Sequence, residues 1–296
     1  MNKGWSIYMN KRFWLIFAAI CLIFIVSCTP AVPEPTSTPS PLPPTPEPTP
    51  EPTLEETGCN ERGVIERYEL DSEFMNGPQY VSVYTPPCYD PGLAGGYSVL
   101  YTFHGQTFND EMWFDLGAAD YLDDMVLNEE AQPFLIVSIY EEFYYRAVRG
   151  NRFPDAVIQE IIPWVDSTFN TCAGRACRAA GGISRGAAWA MRLAFTNPDI
   201  FGAVGIHSLP SYLGGPDQLS VWIDEYPKDQ LPKITMDSGR FDPEVKSAYN
   251  SEMVLNQKGI PHDWHLNEGF HDADYWAAHM EEYMRWYAAL WGNVLE

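Results

Sequence analysis

The stretch Gly182-Ile183-Ser184-Arg185-Gly186 has the spacing G-x-S-x-G. It follows a short apolar run, 179–183, and precedes an alanine-rich helical segment, 187–196. In a strand–turn–helix setting this spacing puts a serine on a sharp turn with its hydroxyl lifted clear of the sheet. The flanking glycines let the neighbouring strand and helix come close. The pattern alone also fits a glycine-rich turn with an N-capping serine, but the setting favours a nucleophile. A serine hydroxyl reacts poorly at neutral pH, so it needs a base, and the base needs an orienting acid. On such a turn the acid and then the histidine follow the serine along the chain. His271, in Glu268-Gly269-Phe270-His271-Asp272, lies in a loop between a strand and a helix and is the favoured base. His207 reads as a wall or structural residue, His262 and His265 flank a strand, and His279 falls inside the last helix. Asp237 and Asp242 both follow the strand at 234–236. Asp242, beyond Gly239, has the better reach, and Asp237 reads as a brace of the turn.

Attack by Ser184 on a carbonyl would create an oxyanion, which needs backbone donors; losing one costs about 100- to 1000-fold in rate. One donor is expected from the amide of Arg185, at a helix N-terminus. The other is expected from His104-Gly105-Gln106, as the amide of Gln106, with Gly105 allowing close approach. His104 reads as a hydrogen-bonding brace within the substrate site rather than a second base. Aromatic residues in the early loops (Trp113, Phe114, Phe143, Tyr144, Tyr145 and Phe153) are candidates for a pocket wall. They are equally candidates for ordinary core. Of these, Trp113 and Tyr144 are the favoured substrate contacts, together with His104, Gly105 and Phe270.

The elements that must hold these residues can be read from the periodicity. Strand-like runs occur at 80–85, Ser98–Phe103, 134–140, 179–183, 203–206, 234–236 and 264–266. Those at 98–103 and 134–140 are almost continuously apolar, as suits strands buried on both faces. Helical periodicity marks 114–127, 155–169 with a kink at Pro163, 187–196, 244–258 closed by Gly259, and 275–290. This alternation predicts an α/β fold with a mostly parallel sheet and helices on both faces.

The chain has 296 residues, a formal charge of −22 and a pI near 4.5. That balance argues against nucleic acid, whose phosphates need Lys and Arg, and it disfavours polyanionic substrates. Lys11 and Arg12 precede an apolar run, 13–26, that is too short to span a membrane comfortably and has the form of a secretory leader. It ends in Ile25-Val26-Ser27-Cys28, similar to a bacterial lipobox, so 1–27 reads as a signal peptide and Cys28 as the lipidated residue of an extracytoplasmic, membrane-anchored chain. Residues 28–57 are rich in Pro, Thr and Glu and read as an extended spacer. The globular domain is expected over 58–296. Four cysteines remain there, Cys59, Cys88, Cys172 and Cys177, with three possible connectivities. The short spacing pairs Cys172 with Cys177 and leaves Cys59 for Cys88. Neither pair has zinc-ligand neighbours, so no metal is expected, and serine chemistry of this kind calls for no cofactor.

From about Gln79 to Leu290 the chain resembles the esterase group of α/β-hydrolases, which includes esterase D, feruloyl and acetylxylan esterases, enterochelin esterases and mycolyltransferases. The resemblance rests on FHGQ at 103–106, IIPWVDSTF at 161–169 and RAAGGISRGAAWAMRLAFTNPDIFGAV at 178–204, with SGRFDP at 238–243 and EGFHDADYW at 268–276. It implies an α/β-hydrolase fold and a triad of Ser184, Asp242 and His271. The family often has Met-Gly-Gly after the serine, where Arg185-Gly186-Ala187 stands here. Gly-Phe-His replaces the commoner Gly-Gly-His. Arg185 is therefore expected as a cation at the rim and Phe270 as a ring beside the base. With the leader placing the domain outside the membrane, the resemblance implies an extracellular serine esterase acting on feruloyl, acetyl-polysaccharide or small acyl esters. Acyl transfer, as in mycolyltransferases, is an alternative, as is a non-catalytic surface binding protein; a missing triad member would mark the latter.

Overall fold

A computed structural model of the chain describes residues 59–75, 77–142, 151–211 and 216–292. The expected leader, Cys28 and the spacer lie outside the described residues, as do Phe143, Tyr144 and Tyr145. Among the described residues eight strands form one sheet: β1 (Val64–Leu70), β2 (Gln79–Thr85), β3 (Ser98–Phe103), β4 (Phe134–Ile139), β5 (Arg178–Ile183), β6 (Ala203–His207), β7 (Lys233–Gly239) and β8 (Asp263–Asn267). The helices are α1 (Met112–Asp115), α2 (Ala118–Leu127), α3 (Phe153–Ala156), α4 (Ile162–Thr168), α5 (Arg185–Thr196), α6 (Pro216–Asp224), α7 (Val245–Lys258) and α8 (Ala273–Leu290).

The sheet order is β1-β2-β4-β3-β5-β6-β7-β8. From β4 to β8 every pairing is parallel, while β1–β2 and β2–β4 are antiparallel. Parallel strands must be covered on both faces, and the core accordingly falls into two clusters. One packs α3 to α7 against the sheet through Phe153, Val165, Trp189, Leu193, Leu219 and Leu255. The other packs α1, α2 and α8 through Met112, Leu122, Tyr283 and Met284. The β4 strand is buried at all six positions, which accounts for a sequence that is apolar except at Ser138.

The observed elements depart from the sequence reading in several places, among them α6 (Pro216–Asp224), which has no counterpart in it. β1 is absent from that reading because VIERYEL is an edge strand with most positions exposed, so its burial signal is weak. It is held by ion pairs and hydrogen bonds: Arg67 reaches Asp110 at 2.7 Å, and Gly63 N donates to Asp123 at 2.9 Å. The helix expected at 114–127 is two helices, with a break before α2 at Gly117. The kink expected at Pro163 takes the form of a π-helical turn, Val157–Ile161, running into α4. Both expected disulfides, Cys59–Cys88 and Cys172–Cys177, are formed.

α8 is fixed to the sheet by a buried polar cluster. Asp237, on β7, accepts from His207 Nδ1 at 2.6 Å and from the phenols of Tyr275 and Tyr283 at 2.5 and 2.8 Å. Tyr287 completes the cluster at 3.2 Å from His207 Nε2. Burial, and then the Asp237 charge, raise the pKa of Tyr275 and Tyr283 well above the ordinary value, so both phenols remain donors. Hydrogen bonds to a charged acceptor contribute about 1.5–3 kcal/mol each, and buried donors left unpaired are costly. Asp237→Ala should therefore lower the unfolding free energy by about 3–5 kcal/mol. Urea titrations of both proteins test this; a loss under about 1 kcal/mol would show that the cluster does not hold α8.

Candidate active site

Ser184 stands between β5 and α5 with φ 54° and ψ −120°, a left-handed conformation that a non-glycine residue adopts only when its surroundings enforce it. Its amide donates to His207 O on the neighbouring strand at 2.8 Å. The glycines on either side are sterically required. A Cβ on Gly182 would run into the backbone of Gly186, and one on Gly186 would run into the carbonyl of Phe103. The G-x-S-x-G spacing is thus the record of three backbone segments in contact.

His271 comes to the serine from the loop between β8 and α8. Its Nε2 lies 2.8 Å from Ser184 Oγ, and its Nδ1 lies 2.7 Å from Asp242 Oδ2. Ser184 and Asp242 are buried, whereas the His271 side chain keeps 22% of its exposure, enough to be reached from the groove. Asp242 is fixed by its second oxygen, which accepts from Glu244 N at 2.6 Å, while Ser238 Oγ lies 3.4 Å from the first. The acid and histidine loops are joined directly, since Phe241 N donates to Gly269 O at 2.9 Å. Asp272, the next residue after His271, caps α8 by accepting from Tyr275 N at 3.0 Å. The ring of Trp276 meets the imidazole edge-on at 5.2 Å. The three residues singled out from the sequence therefore form one hydrogen-bonded chain.

An open groove of about 440 Å³ lies over Ser184, lined among others by Gly105, Gln106, Phe108, Pro210, His271 and Trp276. Gly105 is packed against the serine, its missing Cβ position 3.6 Å from Ser184 Cβ, and Gln106 lines the groove beside it.

Other expectations are corrected. Trp113 is not a substrate contact: it has no exposed surface, its indole donates to Phe103 O at 3.3 Å, and its ring packs on His207 and Tyr287. Phe153 is likewise core. His104 is the hydrogen-bonding brace expected, its Nδ1 donating to Gly105 O at 2.7 Å and its Nε2 accepting from Glu141 N at 2.8 Å, but it lies beneath the groove and not among the substrate contacts. Phe270 is 59% exposed and packs at a tilt against Phe241 without lining the groove. Arg185 is not a cation at the rim: its side chain turns inward and pairs with Glu141 at 2.5 and 2.6 Å. Glu141 itself was not singled out from the sequence. The available signal was a carboxylate two residues after a nearly apolar, fully buried strand, at the sheet edge where the site is built. Phe108 and Trp276 were missed because nothing local marks which aromatics face a groove.

A mostly parallel sheet with a strained serine between strand and helix, and a histidine and aspartate delivered by later loops, defines an α/β-hydrolase. The family model described as “Putative esterase” matches residues 72–287, and the chain belongs to this family. It is similar to an endo-1,4-beta-xylanase/feruloyl esterase of Xylanibacter ruminicola, with 29% identity over 161 residues. That match covers 51% of this chain and 22% of the relative, so the chain spans about a fifth of the longer protein. Among solved structures, a ferulic acid esterase superposes with a TM-score of 0.69 at 20% identity, covering 78% of this chain and 100% of that one. An S-formylglutathione hydrolase of Staphylococcus aureus gives 0.65 at 14% identity, covering 77% and 100%. These two likenesses speak to the fold.

Burial lowers the pKa of His104, with Arg185 adding to the effect and the Gly105 carbonyl, Glu141 and Asp110 opposing it. The folded protein therefore holds His104 neutral where the unfolded chain titrates near 6.5. Below that pH the unfolded chain takes up a proton that the folded one refuses. Stability is therefore lost as the pH falls below about 6.5, by up to about 1.4 kcal/mol per pH unit from this residue, and is flat in this term above about pH 7. Urea midpoints at pH 7.5, 6.5 and 5.5 should show a shallower acid decline for His104→Asn than for the wild type. Parallel declines would mean that His104 is protonated in the fold.

Proposed function

We propose that the chain is a serine carboxylic ester hydrolase working through an acyl-enzyme. The observation that carries the reading is the continuous hydrogen-bonded path Ser184 Oγ–His271 Nε2–Asp242, at 2.8 and 2.7 Å, opening on a groove. Ser184 Oγ attacks the ester carbonyl as His271 Nε2 takes its proton, and Asp242 holds Nδ1 so that Nε2 faces the serine. The tetrahedral oxyanion is received by the amides of Arg185 and Gln106. Collapse breaks the bond to the alcohol, which leaves with the proton from His271. Water then attacks the acyl-serine by the same route in reverse, releasing the acid and restoring the hydroxyl.

An ester of an aromatic or acetyl acid on a plant polysaccharide is the favoured substrate class. It is supported by the similarity to a xylanase/feruloyl esterase and by the aromatic groove walls, Phe108 and Trp276. The acidic composition agrees with a neutral substrate. The leader and Ile25-Val26-Ser27-Cys28 support a lipid anchor at Cys28, with 28–57 as a spacer that keeps the enzyme clear of the membrane while it works outside the cytoplasm.

The test is turnover of short p-nitrophenyl esters and methyl ferulate by the full chain, beside Ser184→Ala and His271→Ala. Both variants should lose about 10⁴-fold or more in kcat, and a fluorophosphonate probe should label the wild type but not Ser184→Ala. A folded wild type that neither turns over an ester nor takes the label would sink the reading. For the anchor, Cys28→Ser should move the chain from the membrane to the soluble fraction of expressing cells. Unchanged membrane association would remove lipid at Cys28 from the account.

A further inference from the structure

Glu141 follows β4 at the carboxyl edge of the sheet and is 2% exposed. Its carboxylate accepts from Arg185 Nε and Nη2 at 2.6 and 2.5 Å and from Trp189 Nε1 at 2.7 Å, with Asn151 Nδ2 more distant at 3.4 Å. Its backbone amide donates to His104 Nε2 at 2.8 Å, and His104 Nδ1 donates to the carbonyl of Gly105 at 2.7 Å. One residue thus grips both segments that flank Ser184. The side chain holds the first turn of α5, through Arg185 and through Trp189 one turn further on. The backbone holds the His104-Gly105-Gln106 loop.

An ion pair this deep is a poor source of stability, because desolvating both charges offsets most of their attraction. What a two-point guanidinium–carboxylate fork supplies is a fixed distance and orientation. Neither group touches the groove, so neither acts on a substrate directly. Their effect must pass through what they position.

We propose that Glu141 is a positioning residue for the oxyanion site: it sets the spacing between the amides of Arg185 and Gln106 so that both reach one oxygen. The inference rests on the esterase reading of Ser184. Arg185 therefore contributes in two ways, its amide as a donor and its buried side chain as the handle by which that amide is held. This also accounts for an arginine after the nucleophile. With Glu141 supplied by the neighbouring strand, a cation there becomes a tether, and the groove above it stays free of that charge.

The experiment uses the full chain and compares wild type, Glu141→Gln, the double variant Glu141→Gln/Arg185→Met, and His104→Asn. Steady-state kinetics on p-nitrophenyl acetate are combined with binding of an aryl trifluoromethyl ketone, whose hemiketal carries an oxyanion. Glu141→Gln should lower kcat by about 10-fold or more, since small displacements of such donors are costly, with KM within about 2-fold of wild type. The affinity for the ketone should fall in step with kcat. The double variant removes the buried cation together with its partner, so it should regain the melting temperature without regaining kcat. Should Glu141→Gln fail to fold, the double variant and His104→Asn, which loosens the loop side alone, carry the test with the same expected split. Wild-type kcat and ketone affinity in the folded double variant would reduce Glu141 to a counter-ion and overturn the proposal. A rise in KM at constant kcat would do the same. A wild type that shows neither turnover nor fluorophosphonate label would instead sink the esterase reading and this inference with it.

Discussion

The rest of the structure is arranged around one strained residue. Ser184 holds a backbone conformation that costs about 1–3 kcal/mol for a side chain of its kind, and the turn would relax if either flank could move. Neither can. α5 buries ten of its twelve residues, so it cannot slide along the sheet without opening the larger core cluster. β5 lies between β3 and β6 with parallel ladders on both sides. The residues nearest the turn are glycines because the backbones of residues 103, 182 and 186 are already in contact. The sequence RAAGGISRGAA is small for that reason before any question of chemistry arises.

Buried carboxylates do much of the fastening at this end of the molecule. A charge of −22 suggests acids directed at solvent, yet Asp110, Asp123, Glu141, Asp237 and Asp242 are all buried. Each meets several donors, as an ionised group removed from water must. Asp110 joins Arg67 and Ser82, and Asp123 joins Tyr84 and Gly63. The polar tips of Tyr84, Trp189, Tyr275 and Tyr283 end on these acids while their rings fill the core. Part of the aromatic richness of the chain is therefore the apolar counterpart of its acidity.

What could be read from the sequence was whatever leaves a local periodic or spacing signal. Buried parallel strands such as SVLYTF and FLIVSI announced themselves, and β3 was located to the residue. Ser184, His271 and Asp242 were legible because chain order, loop position and glycine spacing constrain them jointly. β1 was not, since an edge strand alternates weakly and is held by partners some 40 to 60 residues away, Asp110 and Asp123. Nor was the direction of Arg185, which depends on Glu141, 44 residues earlier in the chain. A cation beside a nucleophile looks like a substrate contact until the carboxylate that turns it inward is known. Trp113 failed for a related reason: its loop runs along the groove side, but α1 rotates the indole under β3 to pack on His207 and Tyr287.

The groove inherits its walls from the same fastenings. Phe108 closes the turn that starts at Gly105, its amide donating to Gly105 O at 3.2 Å, and so it moves with the loop that carries Gln106. Trp276 lies in the first turn of α8, donates to Ser208 Oγ at 3.0 Å and abuts His271. The two rings meet edge-on at 6.1 Å across the groove. A wall made of a ring on the oxyanion loop and a ring beside the base cannot be reshaped without shifting one or the other. Under the esterase reading, selection of the acyl group and placement of the catalytic atoms are then not independent. Substitutions that widen this groove should act on kcat as well as on KM, because the side chains that measure the substrate also hold the groups that react with it.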